Sequence, residues 1–385
     1  MKIATCKAPV NIAVIKYWGK RDENLILPIN DSISATLSLD HMCAKTTIVS
    51  SPDLTETRFW LNGELQSTGN KRFQKCLEEI KKRAKPDVEC LNWHLNIVSE
   101  NNFPTAAGLA SSAAGYACLV YTLAQIYEVD GNISSVGRMG SGSACRSFFG
   151  GWVRWLKGEK NDGSDSLAIQ VAPENHWPEM RVLVLVVSDH KKAYSSTSGM
   201  KTSVETSELL KYRAENIVPR RVEEMVQAIQ NKDFPTFAKL TMQDSNQFHS
   251  SCLDTYPPCF YLNDTSRVII ELIHAYNEFR EETKVAYTFD AGPNACLYLL
   301  EKDVAEVIEM INYVFPSEPI AMSSYFKGKA VPYTTIDEKL MYMLINFRQP
   351  EGKLKYIIYT EVGSGPLVLK EAEDHLVAEN GEPKI

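Results

Sequence analysis

The run Pro104-Thr105-Ala106-Ala107-Gly108-Leu109-Ala110-Ser111-Ser112-Ala113-Ala114-Gly115 holds no side chain larger than leucine and leads directly into Tyr116–Tyr127, which is apolar nearly all round. A helix that is apolar on every side has to lie inside a core. Small side chains before it let backbone N–H groups approach an anion, and the helix N-terminus adds unpaired donors and a partial positive charge. The spacing predicts a phosphate site at the end of a buried helix, with Ser111 and Ser112 offering hydroxyls to phosphate oxygens or to Mg²⁺. A tight helix–sheet contact without a ligand is the plain structural alternative. No Gly-Lys-Ser or Gly-Lys-Thr follows, so the run is not the Walker pattern.

The 385 residues, 44% of them hydrophobic, suffice for a large core and for two lobes. A formal net charge of −7 argues against a broad nucleic-acid surface, which needs a basic excess. An anionic ligand therefore has to meet a local basic cluster, and two are visible: Lys16, Lys20 and Arg21, and the pair Lys191-Lys192. The nine cysteines are scattered singly, without a C-x-x-C pair. Their odd number points to reduced thiols and a cytoplasmic setting. The histidines lack zinc-helix spacing, which argues against a protein-held transition metal and leaves Mg²⁺ arriving with a nucleotide open. Val182–Val187 and the apolar stretch after Gly115 are too short or too interrupted to span a bilayer. Met1–Cys6 lacks the blocks of a signal peptide, so no membrane association is expected.

Along the chain, Ser32–Leu39 alternates apolar and hydroxyl side chains as a half-buried strand does. Phe59-Trp60-Leu61 leads into Asn62-Gly63, a hairpin-turn signal. Asn70–Lys82 has the spacing of an amphipathic helix. Strands are expected at Trp93–Val98 and Gly150–Lys157, with a boundary at Pro173 and Pro178 dividing lobes 1–178 and 179–385. In the second lobe, strands at Val182–Val187, Val285–Phe289, Ala295–Leu300 and Tyr356–Glu361 interleave with helices at Thr206–Ile229, Phe234–Gln247, Ser266–Arg280 and Val304–Phe315. That alternation predicts a two-layer α+β arrangement.

Three further segments offer reactive groups. Gly140-Ser141-Gly142-Ser143-Ala144-Cys145-Arg146 exposes backbone and hydroxyl donors beside a guanidinium that matches a carboxylate or phosphate bidentately; a flexible loop with a surface arginine is the bland alternative. Ala8–Lys20 reads as a strand with Lys16 among apolar neighbours, where an ammonium is costly unless it is paired or reaches the surface. Asp290, between a strand and Ala291-Gly292-Pro293, offers a carboxylate, although an aspartate there also forms turns. The loop Tyr194–Met200 supplies hydroxyls and reads as a polar connector.

Together, Asn11–Arg21, Phe103–Gly115, Gly140–Gly151 and Ala286–Ala295 resemble, in the same order, motifs of the kinase superfamily named for galactokinase, homoserine kinase, mevalonate kinase and phosphomevalonate kinase. Within it they are most similar to the eukaryotic mevalonate diphosphate decarboxylases, over nearly the whole chain. The resemblance implies a two-lobed α+β GHMP-kinase-like fold, with a ribosomal protein S5 domain 2-like N-terminal lobe, a ferredoxin-like C-terminal lobe and a deep cleft between them. It implies ATP- and Mg²⁺-dependent decarboxylation of (R)-5-diphosphomevalonate to isopentenyl diphosphate, in isoprenoid and sterol biosynthesis, by a cytoplasmic homodimer.

Carried over by position, the resemblance makes Asp290 the carboxylate beside the C3 hydroxyl, as base or orienting group. Lys16 becomes its neighbour at the transferring phosphoryl, and Arg146 with Asn11 the holders of the substrate carboxylate. Tyr17, Trp18, Gly19, Lys20, Arg72, Ser141, Gly142, Ser143, Ala144, Cys145, Ser196 and Thr197 match positions around the rest of the substrate. Pro104, Ala107, Gly108, Leu109, Ala110, Ser111 and Ser112 match the loop around the ATP phosphates, with Ser112 the metal contact. Met139 departs from the family, which usually has a basic residue there. The competing readings are a small-molecule kinase of the same superfamily, which stops at phosphorylation, and a nonenzymatic sensor on the same fold.

Overall fold

The computed structural model describes residues 1–103, 111–188, 195–318 and 325–384. The first half builds two sheets. One has six strands in the order Leu367–Leu369, Lys2–Pro9, Cys43–Ser51, His94–Asn101, Arg58–Leu61 and Glu64–Gln66. The other has four, in the order Ala168–Ala172, Trp152–Trp155, Ser32–Thr36 and Asn11–Ile15. The helix Ser111–Ile126 lies across Lys2–Pro9 and Cys43–Ser51 with ten residues buried, as its apolar composition requires. Asn62 and Gly63 both take positive φ, 50° and 82°, and close the hairpin between Arg58–Leu61 and Glu64–Gln66. The Asn70 side chain caps the helix Lys71–Arg83 by accepting from the Arg72 N–H.

The second half forms a five-stranded sheet in the order Val285–Phe289, Ala295–Leu300, Met180–Val186, Tyr356–Glu361 and Phe326–Gly328. Its first four strands, with the helices that connect them, make the β-α-β-β-α-β pattern of a ferredoxin-like unit, and Phe326–Gly328 adds a parallel edge. The predicted strands of this half are all present. Its helices Asp264–Phe279 and Val304–Val314 lie within a residue or two of expectation.

Several expectations change. The helix predicted over 206–229 runs from Glu208, which Ser207 caps by accepting from the Leu210 N–H, to Gln230, with a π turn at Arg213–Ile217 just before Pro219. A proline lacks the N–H of a regular α turn, and the wider π turn precedes it. The polar connector at 194–200 is instead helical from Ser196, because the Ser195 side chain accepts from the Ser198 N–H and caps Ser196–Thr206. The helix predicted to end at Gln247 runs on, as Phe234–Asp254. The single strand expected at 8–20 is two strands in different sheets, Lys2–Pro9 and Asn11–Ile15. Ser32–Thr36 is buried on both faces, not one. The C-terminal segment does not stay with the second lobe. Leu367–Leu369 pairs with Lys2–Pro9, and Leu376 and Val377 pack on Val49 and Val98, because the six-stranded sheet has an open edge and an apolar face to cover.

The halves meet through an apolar contact. Trp152 of the first lies edge-on to Phe237 of the second, with ring centroids 5.2 Å apart, and Trp177 and Tyr298 complete the cluster. The Tyr298 hydroxyl donates to the Ile12 carbonyl at 3.0 Å. Trp152→Ala is expected to lower the unfolding free energy by about 3–5 kcal/mol, read by urea denaturation with both halves unfolding in one transition; separate transitions would show that the halves fold independently.

Candidate active site

The strand Asn11–Ile15 ends just before Lys16, whose side chain is 3% exposed and reaches Asp290 at the end of Val285–Phe289, Nζ to Oδ1 2.6 Å. The backbone holds the lysine in place. Its N–H donates to Asp244 Oδ2 at 2.7 Å, and its carbonyl accepts from Asn30 Nδ2 and Arg213 Nη2, each at 3.2 Å. The Asp290 side chain keeps 27% exposure. The lysine is thus the buried partner and the carboxylate opens onto the cavity.

Arg146, 2% exposed, sits in the 3₁₀ turn Gly142–Phe148. The flexible-loop alternative is excluded, because this turn packs against the helices on either side. Arg146 is held by neutral oxygens: Nη1 donates to Ser32 Oγ at 2.6 Å, and Nε to Ser34 Oγ at 3.0 Å and Asn11 Oδ1 at 3.2 Å. No carboxylate among the described residues forms an ion pair with it. Burial lowers its pKa, and the nearby Asp290 charge acts in the opposite sense. Asn11 spends both amide hydrogens on the Ser143 carbonyl and Ser147 Oγ. It therefore orients Arg146 rather than presenting a free donor.

These groups open on one cavity of about 360 Å³. Asn11, Lys16, Tyr17, Trp18, Lys20, Arg72, Ser111, Ser112, Ser141, Gly142, Ser143, Arg146, Ser196, Thr197 and Asp290 all line it. Its described wall carries four cations and one carboxylate, and the first turns of Ser111–Ile126 and Ser196–Thr206 point partial positive charge the same way. Arg72 Nη2 donates to Thr197 Oγ1 at 2.9 Å, joining the two halves beside the cavity, and Lys20 pairs with Glu23 at 2.6 Å. Gly19, Ala144 and Cys145 do not line the cavity. Gly19 takes φ +96°, where a Cβ would fall 2.7 Å from Ile29. Ala144 and Cys145 are fully buried, and burial pushes the Cys145 thiol up to about 12. Arg21 turns away to the carbonyls of Lys157, Gly158 and Lys160, which removes it from the expected basic cluster. Met139 packs on an apolar cluster instead of facing the cavity, so its departure from the family pattern leaves the cavity's charge unchanged. Pro104, Ala107, Gly108, Leu109, Ala110, Lys191 and Lys192 lie outside the described residues.

Two family models match the chain: the diphosphomevalonate decarboxylase-like N-terminal domain over residues 8–168, and the mevalonate 5-diphosphate decarboxylase C-terminal domain over 182–369. The diphosphomevalonate decarboxylase of Rattus norvegicus is 55% identical over 392 residues, covering 99% of this chain and 97% of its own. The chain belongs to the diphosphomevalonate decarboxylase family. A solved member, the mevalonate diphosphate decarboxylase from Trypanosoma brucei, superposes with a TM-score of 0.88 at 38% identity, covering 98% of this chain and all of its own. A structure of MDDEF in complex with MVAPP, AMPPCP and magnesium superposes with a TM-score of 0.71 at 29% identity, covering 96% of this chain and 99% of its own.

Within this family frame, sequence reasoning had missed three features. Ser32 and Ser34 form the hydroxyl face of a strand whose alternation suggested that this face met solvent; it meets Arg146. A second pocket of about 320 Å³ shares Ser111 and Ser112 with the cavity and is walled by Phe59, Leu61, Phe73, Tyr116 and Leu119. Its lining comes from five separate elements, so no local motif marks it. Last, His249 lies against the Lys16–Asp290 region, packed on Phe248, with Nε2 lacking a hydrogen-bond partner among the described residues.

Burial first, and the Lys16 ammonium second, lower the His249 pKa from 6.5 to about 3, so its imidazole is neutral at physiological pH. The unfolded chain protonates the same histidine near pH 6.5. Unfolding therefore takes up a proton between about pH 3 and 6.5, and stability falls as pH drops through that window. His249→Gln is expected to flatten this slope, measured as the urea midpoint from pH 6.5 to 4. An unchanged slope would place the acid sensitivity elsewhere.

Proposed function

We propose that this cavity converts (R)-5-diphosphomevalonate and ATP to isopentenyl diphosphate, CO₂, ADP and phosphate, as an enzyme of isoprenoid and sterol biosynthesis. The observation that carries the proposal is the meeting, in one cavity, of a paired Lys16–Asp290 and an Arg146 that no described carboxylate neutralises. The first of these serves phosphoryl transfer, and the second offers a cation to the carboxylate that is lost as CO₂. The excess of cations suits a substrate bearing both a diphosphate and a carboxylate.

In this mechanism Arg146, held by Ser32, Ser34 and Asn11, takes the substrate carboxylate. Lys20, Arg72, Ser196 and Thr197 take the diphosphate, and Tyr17, Trp18, Ser141 and Ser143 enclose the carbon chain. Asp290 accepts a hydrogen bond from the C3 hydroxyl. A free aspartate titrates near 3.9, far below an alcohol, so the proton passes to Asp290 late, as the C3 oxygen bonds the γ-phosphorus and the bond to the β-phosphate oxygen breaks. Lys16 stabilises the charge on the phosphoryl oxygens in flight. The C3–O bond then breaks and phosphate leaves with the electron pair. Cleavage of the bond between C2 and the carboxylate carbon supplies the electrons of the new alkene and releases CO₂. Arg146 positions the carboxylate for this step. A clamp that favoured the ground state over the transition state would slow it.

The ATP phosphates fit the first turn of Ser111–Ile126, and the adjoining apolar pocket suits a flat base. Mg²⁺ beside the Ser112 hydroxyl would offset phosphate charge. The nine cysteines are free and buried, in keeping with a reducing, cytoplasmic setting. The family reading also carries a homodimer.

Incubation with Mg-ATP and diphosphomevalonate should release ADP and CO₂ in equal amounts; ADP alone would identify a kinase, and neither product a sensor. Asp290→Asn should cut kcat by orders of magnitude with substrate affinity nearly intact, and near-normal turnover would remove Asp290 from the mechanism. Ser34→Ala should lower kcat/KM for diphosphomevalonate about tenfold, since a hydrogen bond to a charged group is worth about 1.5–3 kcal/mol. An unaffected kcat/KM would mean that Ser34 does not position Arg146.

A further inference from the structure

Behind the cavity, Asp244 of the helix Phe234–Asp254 is completely buried and its carboxylate has four close donors. Arg213 Nη1 and Nη2 donate to Oδ1 and Oδ2 at 2.9 Å each, and Arg221 Nη1 donates to Oδ1 at 2.9 Å. The Lys16 N–H is the fourth donor, at 2.7 Å to Oδ2. Gln247 Oε1 accepts from both arginines. Arg213 also donates to the Lys16 carbonyl. One buried carboxylate and one buried guanidinium from the second half thus hold both polar groups of the residue that carries the lysine. None of these three side chains lines the cavity.

Such a cluster is a poor device for stability alone, because desolvating three charges offsets much of their mutual attraction. What it does fix is a position. Lys16 lies just beyond the last strand residue, Ile15, and so has no strand pairing of its own to hold it. Its backbone is located instead by Asp244, Arg213 and Asn30. We propose that Asp244 and Arg213 are positioning residues for the reaction: by clamping the Lys16 backbone from the second half, they hold Nζ on Asp290 and on the transferring phosphoryl group. Arg221 pairs with Asp244 but has no hydrogen bond to Lys16 among the described residues, so it supports the cluster without setting the lysine. The proposal rests on the decarboxylase reading above.

A displacement of about 1 Å at a reacting group can cost about 10²-fold in rate. In the full-length protein, Asp244→Asn and Arg213→Lys are each expected to lower kcat by about 10- to 100-fold, with KM for diphosphomevalonate and for ATP within about threefold of wild type. Arg221→Lys, with a similar loss of melting temperature, should keep kcat within about threefold. Asn retains an oxygen for the Lys16 N–H, so Asp244→Asn should also turn over faster than Asp244→Ala. If Asp244→Asn does not fold, the comparison of Arg213→Lys with Arg221→Lys decides. Equal kcat for these two variants at matched stability would overturn the proposal, as would a loss confined to KM. Wild-type protein assayed alongside separates the two claims: its failure to release CO₂ would sink the decarboxylase reading itself, whereas an active wild type with unimpaired variants would sink only the positioning role.

Discussion

An ammonium group with almost no access to solvent needs an opposite charge within reach, and Lys16 finds it in Asp290, 274 residues further along the chain. The pair takes one member from each half of the molecule, so the two halves have to meet in a single registration. The helix Phe234–Asp254 provides it. Asp244 receives the Lys16 N–H, Ser245 Oγ accepts from the Phe289 N–H beside Asp290, and Phe248 packs edge-on to Trp18. One rigid helix therefore locates both partners, while the apolar cluster around Trp152 and Phe237 keeps the halves from sliding.

The cavity is cationic in a protein whose net charge is −7. What separates a cation available to a ligand from one committed to structure is its partner. Arg213 and Arg221 both pair with Asp244. Arg21 Nη2 donates to backbone carbonyls, and Arg146 to two serine hydroxyls and an asparagine oxygen. Neutral acceptors orient a guanidinium without cancelling its charge, so Arg146 keeps an attraction for a carboxylate that a salt bridge would have removed. Net charge could not reveal this, because it does not distinguish paired from unpaired arginines.

Features that depend on local physics were legible. The central helix followed from an apolar surface on all sides, the turn at Asn62-Gly63 from its two positive φ angles, and the second sheet from strand-length apolar runs between amphipathic helices. Lys16 and Asp290 could be paired as candidates because a buried lysine demands a carboxylate. The misreadings came where tertiary surroundings overrode a local pattern. The serines of Ser32–Thr36 alternate as on a solvent face, yet that face turns to Arg146. The connector at 194–200 read as polar loop, yet the Ser195 cap starts the helix Ser196–Thr206 there.

Sequence alone thus determined that the helix after Gly115 would be buried, and that a lysine and an aspartate were candidates to compensate each other. These follow from side-chain size, polarity and short-range periodicity, all of which act over a few residues. Only the tertiary structure decided that Ser32 and Ser34 hold Arg146, that Arg21 leaves the basic cluster, that Asp244 clamps the Lys16 peptide, and that the chain's end returns to the first sheet. Each of these pairs groups more than a hundred residues apart. Burial makes such groups find partners, but which partner lies within hydrogen-bonding distance is settled only when the sheets and helices have packed.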